Sequence, residues 1–153
     1  MLGAPQHYRI TLSHDGSYSI NGSGFTPPAS TRGTSKLYVI SARTRVLYVG
    51  ITKQRMSMRL RQGLKATRKA GYHGYKWKGR ERLRLSVWEV SDFSDNNKLE
   101  LETLEAEVVF LCRSLDGQWP ESQNEIHFHP SGRRHRALAV KVYNEIQENP
   151  STS

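Results

Sequence analysis

The chain has 153 residues, enough for one domain with its own core, and a formal net charge of +9 with a pI of about 9.9. That balance points to a polyanionic partner, with nucleic acid first. The longest purely apolar run, Val108 to Cys112, is far too short to span a membrane. Met1 to Gln6 lacks the charged and apolar parts of a secretory signal, and the single cysteine, Cys112, sits in that apolar run. A reduced, buried thiol in a cytoplasmic protein is the expectation.

In chain order, His7 to Asn21 reads as a β-hairpin, Tyr8 to Leu12 and Ser17 to Ile20, with a turn at Asp15-Gly16. Residues 22–35 are rich in Gly, Ser, Thr and Pro and read as a linker. Two strand-like segments follow, Lys36 to Ile40 and Val46 to Gly50, each carrying one tyrosine. A hairpin centred on Arg43 would place Ile40 opposite Val46 and Tyr38 opposite Tyr48, with both phenols on one face. Gln54 to Ala70 has helical spacing through Met56, Leu60 and Leu64. Leu83, Leu85 and Val87 alternate as in a strand that ends near Val90. Leu101, Leu104, Val108, Leu111 and Leu115 form one helical stripe. Glu125 to His129 reads as a short strand and Arg136 to Glu148 as a final helix. The expected organisation is a hairpin and linker over 1–35, a core over 36–130, and a helix with a tail over 131–153.

Charge comes in blocks. Between Lys53 and Arg84 there are twelve Lys or Arg and one acid, Glu81. Lys53, Arg55, Arg61, Lys65, Arg68, Lys69, Lys76 and Lys78 are interleaved there with Tyr72, Tyr75 and Trp77. Cations neutralise phosphates and release counterions, while aromatic faces stack on bases, so these eleven residues are the expected nucleic-acid contacts. His127 and His129 alternate as two ligands on a strand would, but a zinc site needs more donors, and the one cysteine is in a helix.

Taken together, the tyrosine segments resemble the GIY-YIG nuclease family. The first triplet matches Lys36-Leu37-Tyr38, with lysine where the family opens on glycine, and the second matches Tyr48-Val49-Gly50. The family's arginine falls on Arg59, with Arg55 and Arg61 as competitors, its glutamate on Glu107 and its asparagine on Asn124. The loop around His73 is similar to a region where members carry a site histidine. The resemblance covers about residues 36–124. It implies an α+β fold, a small antiparallel sheet of about three central strands flanked by helices, here with an N-terminal hairpin extension. It also implies metal-dependent hydrolysis of DNA phosphodiesters with one Mg²⁺ or Mn²⁺ on Glu107.

On the helix wheel Glu107 lies at one margin of the leucine stripe together with Glu100, its nearest competitor. Glu105 lies at the other margin, and Glu102 points to solvent. Arg59 would stabilise the phosphate charge. A phenol has a pKa of ~10 and an imidazole ~6.5, so Tyr38, Tyr48 and His73 share positioning and proton transfer with the base unassigned. The alternative is a binding module of the same fold that does not cut. Specificity would come from loops or from a partner protein, or be low, and a homodimer would serve to cut both strands.

Overall fold

A computed structural model of the chain describes residues 2–13, 15, 17–22, 24–65, 82–91, 98–123 and 126–150. The fold is α+β, a five-stranded antiparallel sheet with three helices among the described residues. The strands are β1 (Gln6–Leu12), β2 (Tyr18–Ile20), β3 (Lys36–Ala42), β4 (Arg45–Thr52) and β5 (Arg82–Glu89). The helices are α1 (Met56–Lys65), α2 (Lys98–Asp116) and α3 (Arg133–Glu148). None of them is long and apolar enough to cross a membrane.

The sheet order is β2-β1-β5-β3-β4, so β5 and β3 are central and β4 is an edge. This explains the burial pattern. Strand β3 is buried on both faces over Lys36 to Ser41, whereas β1 alternates and buries only Tyr8, Ile10 and Leu12. The N-terminal hairpin continues the sheet, because β1 pairs with β5 from Gln6 opposite Val87 to Thr11 opposite Arg82. Its turn is held by Asp15, whose carboxylate accepts from the Ser17 backbone N–H at 2.9 Å and from its hydroxyl at 2.6 Å.

Two layers of core flank the sheet. On one face Tyr38, Ile40, Tyr48, Leu85 and Val87 pack with Met56, Leu60 and Leu64 of α1. On the other, Leu37, Val39, Val49 and Trp88 pack with α2 and with Leu138, Val142 and Ile146 of α3. Cys112 is buried in this second layer, and burial pushes its thiol up to about 12.

Several expectations need correction. The tyrosine hairpin turns over two residues, Arg43 and Thr44, not five, and Arg43 takes a left-handed φ of 56°. Its register also shifts between Ile40 and Ser41, so Tyr48 faces Ile40 and Tyr38 faces Gly50. Because the displacement is by two residues, both phenols keep the same face. The α2 stripe is rotated as well: Val109 and Cys112 are buried, while Leu115 is 62% exposed. Residues 126–129 form no strand. Helix α3 starts at Arg133, three residues early, where the Gly132 N–H donates to His135 Nδ1 at 3.0 Å. Residues 66–70 of the expected first helix lie outside the described residues.

Candidate functional site

Four side chains from four elements, β3, β4, α1 and α2, come together around Tyr48. Tyr38 and Tyr48 stand on the α1 face with ring centroids 5.9 Å apart at a 41° tilt, and the two phenols share a hydrogen bond. Gly50 makes this packing possible. A Cβ placed on Gly50 would lie 2.5 Å from Tyr38 Cζ and 2.6 Å from its hydroxyl. The glycine closing the second triplet is therefore required by the tyrosine of the first.

Arg59 is the fourth residue of α1, one turn beyond the buried Met56 on the helix's inner side. It is half-buried and close enough to Tyr48 and to Glu105 to act on the ionisation of both. Arg55 and Arg61 are exposed, and Arg61 lies near Tyr18 instead.

The acid in this group is Glu105. It shares helical spacing with Leu101, Val108 and Val109, all buried, so the rotated stripe carries it inward. Two residues on, Glu107 is turned by roughly 200° about the helix axis, away from Glu105. Burial, with the Glu102 charge added, pushes the Glu105 carboxyl up to about 8, against the opposing pull of Arg59. Burial likewise drives the Tyr48 phenol above its ordinary range, with Tyr38 adding to the rise and Arg59 opposing it. In this setting Tyr48 is a neutral phenol at pH 7, able to donate a hydrogen bond and poorly suited to be a base.

A residue missed in the sequence closes the edge of β4. The Gln123 side chain accepts from the Val49 N–H at 2.9 Å and donates to the Val49 carbonyl at 3.0 Å. Its amide therefore stands in for a neighbouring strand next to Tyr48. The Ser122 N–H adds a bond to the Leu47 carbonyl at 2.8 Å. No spacing signal marks such a contact, because a glutamine in a loop is usually solvated.

Two other acids of α2 are engaged elsewhere. Glu102, expected in solvent, pairs with His129 at 2.9 Å, and that bond is the first cause holding its carboxyl below the usual range. Glu100 pairs with His135. Lys36 is buried, with Nζ donating to the Thr31 and Thr34 carbonyls at 2.7 and 2.8 Å. Burial brings its ammonium down to about 8, with Glu89 opposing the fall.

Among the described residues no group of three or more His, Cys, Asp or Glu side chains gathers as a metal cluster. Of the expected nucleic-acid contacts, Lys53, Arg55 and Arg61 are exposed and Lys65 lies in α1. Arg68, Lys69, Tyr72, Tyr75, Lys76, Trp77 and Lys78 lie outside the described residues, as do His73 and Asn124. No family model, curated protein or solved structure matches the chain.

Proposed function

We propose that this chain is a metal-dependent DNA endonuclease of the GIY-YIG type, with Glu105 as its carboxylate in place of Glu107. The observation that carries the reading is the grouping of Tyr38, Tyr48, Arg59 and the half-buried Glu105 beside one strand edge. A core has no use for a glutamate and an arginine close enough to act on each other and on the Tyr48 phenol.

The donor set suits a hard cation. A desolvated carboxylate beside an arginine gains from a divalent charge, and Mg²⁺ or Mn²⁺ is satisfied by one carboxylate plus water. Glu105 would hold it, and the bound ion would supply Lewis-acid stabilisation of the phosphate oxygens. Arg59 stabilises the charge that builds on the scissile phosphate. The protonated phenols orient the attacking water and the phosphate by hydrogen bonding. His73 is the group matched to accepting a proton at neutral pH. Lys53, Arg55 and Arg61 carry the DNA backbone, with sequence-independent, salt-sensitive affinity. A second copy or a partner protein would supply the second cut.

One observation favours the other reading, a nucleic-acid-binding module that does not cut. Tyr38 is fully buried and Tyr48 is 7% exposed, so substrate must approach along the β4 edge. Nicking of supercoiled plasmid with Mg²⁺ or Mn²⁺, beside EDTA and the variants Glu105→Gln and Glu107→Gln, decides between them. Cleavage lost in Glu105→Gln and kept in Glu107→Gln supports the nuclease with this carboxylate. DNA binding with no cleavage of plasmid, branched or single-stranded substrates by the wild type supports the binding module.

A further inference from the structure

At the turn end of β3 and β4 lies a cavity of about 270 Å³ that the cleavage reading does not use. Its walls include Arg45, Cys112, Asp116, Gln118, Trp119 and Gln147. The volume falls just under the ~300 Å³ at which small-ligand pockets begin, which suits a single flat ring system and not a whole cofactor. Cys112 gives the floor an inert, apolar surface, being 1% exposed.

The walls are unequal in chemistry. Trp119 is 51% exposed and is held edge-on against Phe128 at 6.4 Å, which fixes the indole without covering it. An exposed, braced indole at a cavity mouth is a stacking surface. Arg45 supplies a cation there, bonded to Glu121 at 3.1 Å and to the Gln118 side-chain oxygen at 3.4 Å. Asp116 accepts from the Tyr143 hydroxyl through one oxygen, and its second oxygen can only accept. With its carbonyl turned to Arg45, Gln118 presents amide donors.

We propose that this cavity binds a nucleobase bearing an exocyclic amino group, stacked on Trp119, with the attached phosphate near Arg45. Cytosine fits this polarity: an amino donor meets Asp116 while ring acceptors meet amide donors, whereas thymine presents an acceptor where cytosine has its amine. The occupant is a base of a single strand, extruded or frayed. Loop residues 118–123 tie this cavity to β4 through Arg45, Leu47 and Val49, the same strand that carries Tyr48. The proposal goes beyond cleavage and stands without it.

The test is fluorescence anisotropy of labelled oligodeoxycytidine and oligodeoxythymidine in EDTA, where no cutting occurs. The full chain is compared with Trp119→Leu and Asp116→Ala, and competition with deoxycytidine monophosphate is a further arm. Trp119 is exposed, so its replacement leaves the core intact, and circular dichroism checks this. We expect Trp119→Leu to weaken oligodeoxycytidine binding by about tenfold or more. Asp116→Ala should erase the preference for cytosine over thymine. Wild-type binding that is equal for the two oligonucleotides, or unchanged in Trp119→Leu, overturns the proposal. Deoxycytidine monophosphate binding as tightly as the oligonucleotide supports the pocket's chemistry and reassigns its occupant to a free nucleotide.

Discussion

Tyr38 lies across Gly50, with its ring where a Cβ would be, 2.5 Å from Cζ. The contact joins two strands and sets the distance between the two phenols. Tyr38 is paired on both sides, with Gly50 of β4 and Val87 of β5, so its own strand has little room to yield.

Gly50→Ala therefore forces the Tyr38 ring to move, and overpacking of this kind costs about 1–3 kcal/mol. Urea unfolding should show that loss. On the proposed function, plasmid nicking should fall by more than stability accounts for, because the displaced ring disturbs the Tyr48 hydrogen bond. Nicking at the wild-type rate in a folded Gly50→Ala protein would separate the tyrosine pair from catalysis.

Much of this architecture was legible in the residues. Alternation and helical spacing marked the strands and helices. Three details were not. Arg43 adopts a left-handed turn usually left to Gly or Asn, so nothing signalled the two-residue loop or the shift that sets Tyr38 against Gly50. The α2 stripe looked centred on its leucines, yet the helix also packs on α3 and β4, which rotates Val109, Cys112 and Glu105 inward. That rotation, roughly 40° at 3.6 residues per turn, exchanges Glu105 for Glu107 at the site. Finally, a side-chain amide that acts as a strand, as Gln123 does, has no period to reveal it.

Gln123 offers a cleaner perturbation than any core residue. Gln123→Ala removes two hydrogen bonds from the Val49 backbone, worth about 2 kcal/mol together. Amide hydrogen exchange should show Val49 losing protection while Val39 and Val87 in the central strands keep theirs. Exchange unchanged at Val49 would mean that the edge of β4 is held by other contacts.

Glu105 ties stability and metal affinity to pH with opposite signs. Its carboxyl is raised from 4.5 to about 8 in the folded chain, so between those values the folded state holds a proton that the unfolded state has released. Metal-free stability should therefore fall as pH rises through this window. Glu105→Gln should flatten that slope in denaturant titrations. Metal and proton compete for the same carboxylate, so apparent Mg²⁺ affinity should drop about tenfold for each pH unit below 8. Isothermal titration at several pH values measures this, and a pH-independent affinity would count against Glu105 as the ligand.

Glu102, one turn earlier on α2, tunes that same group. Its charge is the second cause of the rise at Glu105, while His129 holds Glu102 itself ionised. Glu102→Gln removes the repelling charge and keeps most of the side chain's shape. The Glu105 carboxyl should then titrate at lower pH, and the acid limb of metal-dependent nicking should move down with it. The variant loses the stability that the depressed Glu102 carboxyl contributes above its unfolded pKa, the smaller rise at Glu105 returns part of it near neutral pH, and the two proteins should converge at low pH. NMR titration of the Glu105 side-chain carbon reads the first effect directly, and thermal unfolding across pH reads the second. An acid limb that stays in place while the Glu105 titration moves would assign the essential ionisation to another residue, with His73 the next to test.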